Sequence, residues 1–162
     1  MATNTEIADV LETAADLYEA EQIEWCRKGW GVTHEDGTRT ACASSALALA
    51  SGLRQAHARM LENVVETGIT ADIGLSEPEE LYLDVRKHVD EKLRWRLPAW
   101  NDHTVTRPRL NLDAIQILYV DGAYQVKSDS NVSIIAEAVP ARTKEQVIEL
   151  FKGLAKDLRN EE

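Results

Sequence analysis

The chain is poor in the features that mark several large protein classes. It has only two cysteines among 162 residues, which excludes a fold held together by a disulfide framework. No uninterrupted apolar run is long enough to cross a bilayer, and residues 1–6 carry neither the basic nor the apolar region of a secretory signal. We therefore expect a cytoplasmic protein that has no membrane partner.

Basic residues are also scarce. The chain has 28 Asp and Glu against 18 Lys and Arg, a formal net charge of -10. A charge of that sign opposes attraction to phosphate backbones, so nucleic acid is not an expected partner. The length is that of one domain, and we predict a single domain spanning residues 1–162.

Motifs for metal, phosphate or nucleophilic chemistry are missing. The histidines are scattered, and no His-x-x-x-His or Cys-x-x-Cys spacing occurs. A zinc site made by Cys26, His34 and Cys42 is not expected, and we predict neither a metal nor a cofactor. Cys42 lies among small residues, which predicts a buried structural thiol.

Apolar residues recur at helical spacing over most of the chain, which predicts an α+β, mostly helical domain of about five helices. Helix starts are predicted at the capping residues Thr3, Thr40, Ser76 and Thr143. Gly52 and Gly68 are predicted to end helices, and residues 25–37 to form an irregular segment or a short hairpin. Pro98 and Pro108 predict that no helix lies between them.

Residues 110–139 are predicted to form a β insertion, with a small antiparallel hairpin or meander near 115–139. If Asp121-Gly122 is a two-residue turn, three cross-strand pairs follow. They are Val120 with Ala123, Tyr119 with Tyr124, and Ile117 with Val126. A helix over 111–120, capped by Gly122, is the alternative that the sequence leaves open.

Charge is distributed unevenly along the chain. Four acidic residues recur at helical spacing on the first predicted helix, and this acidic stripe is either a solvated face or a surface for a basic partner. The basic segment 86–109 contains Arg94 and Arg96 close to two tryptophans, which suits either ordinary ion pairs or anion and nucleotide binding. The contrast between the two regions also permits a homo-oligomer. The stripe consists of Asp9, Glu12, Asp16 and Glu19.

Trp100-Asn101-Asp102 is the most informative tripeptide. It follows Pro98, so Asn101 or Asp102 can cap backbone N–H groups while Trp100 fills the core. Alternatively, the polar side chains face a cleft and hold a ligand. Asp102 beside His103 resembles half of an acid-base pair, which keeps a small-molecule enzyme open as the alternative function.

Several short sequences resemble, in order, a family of short actinobacterial and phage proteins of unknown function. The family pattern joins a Trp-Cys segment, an acidic-x-Gly loop, Cys-Ala-x-Gly-Ala-Leu, Trp-Asn-Asp and an Arg-Thr helix start. Ser45 replaces the family's glycine, and a long segment separates Asp102 from Arg142. The matching residues are Trp25, Cys26, Asp36, Gly37, Cys42, Ala43, Ala46, Leu47, Trp100, Asn101, Asp102, Arg142, Thr143, Glu145 and Val147.

The resemblance implies shared architecture and a phage-encoded accessory or host-modulating role in the host cytoplasm. Together with the missing catalytic motifs and the uneven charge, it predicts a small acidic binding protein with a protein partner. The residues expected to bind a ligand or partner are Trp100, Asn101, Asp102, Arg94, Arg96 and the four residues of the acidic stripe.

Overall fold

The computed structural model describes residues 1–27, 29–68, 74–102, 115–120, 123–128, 134–140 and 142–161, and between 115 and 140 it describes the backbone alone. This part of the chain contains six helices and five strands, which confirms a mostly helical α+β fold. In chain order the elements are α1 (Asn4–Glu19), β1 (Glu24–Trp25), β2 (Thr40–Ala41), α2 (Ala43–Ala50), α3 (Ala56–Thr67), α4 (Glu77–Leu93), α5 (Leu97–Asp102), β3 (Ile115–Val120), β4 (Ala123–Ser128), β5 (Ile134–Pro140) and α6 (Lys144–Asn160).

Local signals set most helix ends. Thr3, Ser76 and Thr143 cap α1, α4 and α6 as the sequence predicts, and each of them forms a capping box. Gly68 ends α3 in the left-handed conformation, also as predicted. Each of these signals acts within one turn of its own helix, which is why the sequence alone reveals it.

Two predictions about helix starts are wrong. Thr40 does not cap α2, because it lies in β2 and the N-cap residue is Cys42. Pro98 does not prevent a helix, because it is the second residue of α5, where its missing N–H has no intrahelical partner to lose. Leu97 N–H at the start of α5 donates to Asp90 Oδ1 (3.0 Å), and α5 is thus an additional short helix.

The core lies where α1, α2, α4 and α6 meet. Apart from Leu47 and Leu49 the residues of α2 are Ala or Ser, and six of its eight residues are buried, so neighbouring elements pack closely against it. Tyr18 on α1 is fully buried, and its hydroxyl donates to Ala41 C=O (2.7 Å). This bond joins α1 to the end of β2 and fixes the position at which α2 begins.

The two-stranded sheet among the helices is parallel, not antiparallel: Glu24 lies opposite Thr40, and Trp25 lies opposite Ala41. A short hairpin separates the strands, with Thr33 bridged to Arg39 across a turn that ends at Gly37. The predicted irregular segment or hairpin is therefore present, but β1 and β2 outside it run in the same direction.

The second sheet is antiparallel, in the order β3-β4-β5. Val120 pairs with Ala123, Tyr119 with Tyr124, and Ile117 with Val126, the register expected from a two-residue turn. The alternative of a helix is wrong for residues 115–120, which are strand. The predicted turn at 121–122 lies outside the described residues.

In the part of the chain that the structure describes, no helix has the length and apolar composition needed to cross a membrane. The single-domain organisation stays a prediction.

Candidate functional site

Asn101 is fully buried on α5, and its carboxamide makes four hydrogen bonds. Oδ1 accepts from Trp25 Nε1 (2.6 Å) and from Ala43 N–H (2.9 Å). Nδ2 donates to Cys26 C=O (3.1 Å) and to Asp102 Oδ1 (3.0 Å). A carboxamide has two N–H donors and an oxygen with two lone pairs, so this side chain is fully used.

These bonds join three separate elements at one point, which we call the Asn101 junction. Ala43 is the first residue of α2, and its N–H has no partner within that helix. Cys42, the N-cap residue, makes no side-chain capping bond, so Asn101 provides the cap from α5. The predicted capping role of the Trp-Asn-Asp tripeptide is thus present, but it acts on a distant helix.

Two arginines bind the backbone on either side of Asn101. The Arg142 guanidinium lies 4.1 Å from the centre of the Trp100 ring, and its Nε donates to Trp100 C=O (3.2 Å). Arg27 Nη2 donates to Asp102 C=O (2.8 Å). Carbonyl groups at a helix C-terminus carry partial negative charge, so these cations stabilise the end of α5. Trp100 is buried, as expected for a core residue.

The junction shows no assembled catalytic or metal site. Among the described residues, no group of three His, Cys, Asp or Glu side chains is placed to hold a metal ion. His103, the predicted acid-base neighbour of Asp102, lies outside the described residues. The polar atoms of Asn101 that a ligand would contact are occupied by protein groups.

The described part of the basic segment, residues 86–102, is divided between the interior and the surface. Arg86 is fully buried, and its guanidinium contacts Glu62 (2.7 Å), Asp90 (3.3 Å) and the Tyr82 hydroxyl (2.9 Å). Arg96 pairs with Glu62 and with Glu66. These contacts match the interpretation of the segment as ordinary ion pairs.

Burial raises the pKa of Glu62, but the hydrogen bonds and charges of the two arginines outweigh burial and leave that pKa lowered. Burial raises the pKa of Asp90, and Arg86 offsets this only in part. Arg94 has positive φ (53°) at the C-cap of α4, where the chain turns toward α5. The basic residues here therefore join α3, α4 and α5.

The acidic stripe faces α6. Arg159 contacts Asp9 (2.6 Å) and Glu12 (2.7 Å), and Lys152 contacts Glu19. The hydrogen bond from Arg159 lowers the pKa of Glu12. Asp16 and Glu12 line a groove between α1 and α6, together with Lys152 and Lys156. Exposed ion pairs contribute little stability, but a basic partner would have to displace these lysine and arginine side chains from the stripe.

A third surface was missed in the sequence. Residues 30–34 run beside β2, and a groove of about 670 Å³ separates them from the start of α3. Trp30, Val32, Gln55 and Arg59 are among the residues that line it. The hairpin loop is three residues long, and Gly37 has φ +89°. The Asp36-Gly37 pair is the sequence signal for this hairpin, but it does not show which segment lies beside the hairpin.

We expect Asp102→Asn to be tolerated, because the introduced amide keeps an oxygen that can accept the Asn101 Nδ2–H bond. The free energy of unfolding should fall by no more than about 1–2 kcal/mol, the loss typical of a weakened cap. Urea denaturation followed by circular dichroism measures it. A larger loss would mean that the carboxylate charge itself holds the junction together.

Compared with protein-family models, with curated proteins and with solved structures, the chain matches none of them. The resemblance to actinobacterial and phage proteins therefore stays a prediction. Five of the residues on which the resemblance rests nevertheless lie together at the Asn101 junction. They are Trp25, Cys26, Ala43, Asn101 and Arg142.

Proposed function

We propose that this protein is a binding module for a protein partner, and that it accepts an extended segment of that partner along residues 30–34. The observation that carries the proposal is a row of backbone groups on this segment that point away from β2, beside the groove. We call this row the open edge.

The hydrogen bonds of residues 30–34 fix the direction of the open edge. Trp30 C=O accepts from Cys42 N–H, and Val32 N–H donates to Thr40 Oγ1. Val32 C=O accepts from Thr40 N–H, and His34 N–H donates to Thr38 C=O. The C=O and N–H of a trans peptide point in opposite directions, so both backbone groups of Gly31 and of Thr33 face outward.

These outward groups are available to another strand. Among the described residues, no hydrogen bond uses the backbone N–H or C=O of Gly31 or Thr33. Gly31 is required here, because a Cβ at this position would lie 1.9 Å from Thr40 C=O. An unpaired edge beside a groove is the arrangement by which proteins bind extended peptides through added strand pairing.

The groove indicates which side chains would fit. Val32 is 55% exposed on the edge, and Trp30 is half-buried behind it, so an apolar side chain of the partner finds apolar contacts. Arg59 lines the opposite wall and suits a carboxylate. The proposed ligand is an extended segment with one apolar and one acidic residue.

This proposal places the function of the expected binding protein at the open edge instead of at the acidic stripe, whose side chains face α6. The cytoplasmic location and the phage-encoded, host-modulating role rest on composition and resemblance, and they remain part of the proposal. No specific observation favours the enzyme or the nucleotide binder.

Replacing Thr33 with proline tests the open edge, because proline removes the outward N–H. Peptides selected from a displayed random library supply a synthetic ligand, and fluorescence anisotropy measures its affinity. We expect about a tenfold loss with Thr33→Pro, the equivalent of one hydrogen bond. Arg59→Glu should weaken binding of an acidic peptide by a similar factor.

The matched control is Glu35→Pro, which places a proline in the same hairpin at a turn position that accepts it. It should bind as the natural protein does. Amide hydrogen exchange should also slow at Gly31 and Thr33 when the peptide binds. A selected peptide that binds Thr33→Pro with unchanged affinity, or that protects α1 instead, would refute the open edge.

A further inference from the structure

The two cysteines lie at the ends of paired strands, although fifteen residues separate them in sequence. Trp25 and Ala41, the last residues of β1 and β2, are paired, and Cys26 and Cys42 directly follow them. Cys26 N–H donates to Ala41 C=O (3.4 Å), and Cys42 keeps an extended backbone (φ -70°, ψ 171°). The last bond of the strand pairing therefore lies directly beside the two cysteines.

One step further along, the Asn101 side chain lies between the two backbone segments and joins them. One carboxamide, that of Asn101, binds both Cys26 C=O (3.1 Å) and Ala43 N–H (2.9 Å). The bond from Cys26 N–H to Ala41 C=O keeps both cysteines beside the end of the paired strands, where facing residues have their side chains on the same face. Disulfides form across Cα separations of about 4.4–6.8 Å, a range that the two backbones beside this last bond can reach.

We propose that Cys26 and Cys42 are a dithiol that closes to an intramolecular disulfide when the protein is oxidised. This inference is independent of the open edge, since it rests on β1, β2 and the Asn101 junction. The bond would join the two ends of the segment that carries the hairpin, and would lock the start of α2 to the end of β1.

The two thiols differ in access, which sets the order of the chemistry. Cys26 is half-buried, and its thiol lies 3.7 Å from Gly29 C=O, whereas Cys42 is 3% exposed and lies 3.5 Å from Ser45 Oγ. Burial raises the pKa of Cys26 to about 11, and the nearby Cys42 adds to this, so both groups rest as thiols at neutral pH. A pair of this kind stays reduced until an oxidant reaches Cys26.

With oxidised glutathione as the oxidant, the step balances. The deprotonated Cys26 sulfur attacks one glutathione sulfur, forms a mixed disulfide and releases one glutathione thiolate. The deprotonated Cys42 sulfur then attacks Cys26 Sγ and releases the second. Two electrons and two protons leave the protein thiols, and one glutathione disulfide becomes two glutathione thiols.

The test incubates the reduced full-length protein with oxidised glutathione at pH 8.5. It then counts free thiols by alkylation and intact mass. We expect a monomer that has lost two hydrogens and takes up no alkylating reagent. Its melting temperature should rise, by at most about 10 °C. Cys42→Ser should stop at one glutathione adduct on Cys26, and Cys26→Ser should keep Cys42 reduced.

Three results would overturn the proposal. They are a stable glutathione adduct on the natural protein without closure, a cross-linked dimer, and closure no faster than global unfolding as measured by hydrogen exchange. Circular dichroism of both serine variants establishes that they are folded. None of these results bears on peptide binding at Thr33, so this proposal and the open edge fail separately.

Discussion

Asn101→Ala is expected to lower the free energy of unfolding by about 3–5 kcal/mol. The substitution leaves Trp25 Nε1, Ala43 N–H and Cys26 C=O without their partner at a site that is closed to solvent. Each buried polar group that loses its bond costs about 1–3 kcal/mol, and water entering the space left by the side chain recovers part of the loss. Urea denaturation monitored by tryptophan fluorescence measures the change.

Asn101→Asp is the matched variant for this prediction. It keeps the oxygen that accepts from Trp25 and Ala43, but it sets a carboxylate oxygen against Cys26 C=O and Asp102. This repulsion raises the pKa of the introduced carboxyl in the folded state. The variant should therefore be less stable than the natural protein at neutral pH. Its stability should recover as the pH falls through that raised pKa, because a protonated carboxyl can donate a hydrogen bond to Cys26 C=O.

A loss below about 1 kcal/mol for Asn101→Ala would mean that the four bonds contribute little beyond what water supplies. Asp102→Asn serves as the control, because it changes the neighbouring side chain while leaving the Asn101 carboxamide in place. A large loss at position 102 together with a small loss at 101 would move the important group to Asp102.

The helices were predictable because their signals are local. The caps at Thr3, Ser76 and Thr143 and the stop at Gly68 each depend on residues within one turn. The register of β3 with β4 was predictable for the same reason, since a two-residue turn fixes every pair that follows it. Helix α5 was missed because the bond that satisfies its first N–H comes from Asp90 on α4.

The candidate site was predictable in its residue types but not in its geometry. The tripeptide Trp100-Asn101-Asp102 indicated capping, but Asn101 caps a residue 58 positions away and binds a tryptophan 76 positions away. Spacing within one segment contains no information about such partners. The sequence predicts ion pairs or an anion site for the basic segment, but it does not predict the burial of Arg86 against Glu62, because Glu62 comes from another helix.

Arg86→Met should cost about 3–5 kcal/mol, because it leaves Glu62 and Asp90 partly buried without the cation between them. Methionine fills much of the same volume, so the loss reports the charges more than the packing. Arg96→Met is the control. Arg96 is half-exposed, so its ion pairs with Glu62 and Glu66 should be worth less than about 1 kcal/mol after screening by water.

The pH dependence separates charge from packing in this prediction. In the natural protein the pKa of Glu62 is lowered, so its contribution to stability is present above its ordinary pKa and is lost as the pH falls through the lowered value. The raised pKa of Asp90 acts in the opposite direction. Without Arg86 the pKa of Asp90 rises further, and the pKa of Glu62 rises with only Arg96 left to lower it, so the deficit of Arg86→Met should shrink as the solution is made more acidic.

Adding Glu62→Gln and Asp90→Asn to Arg86→Met should recover more than half of the loss at pH 7, because neutral amides cost less to bury without a cation than carboxylates do. Thermal and urea unfolding of the single and triple variants at pH 7 and pH 4 measure this recovery. If Arg86→Met is equally destabilised at both pH values and the triple variant recovers nothing, then the guanidinium stabilises α3 against α4 by filling space, and the carboxylates are incidental to it.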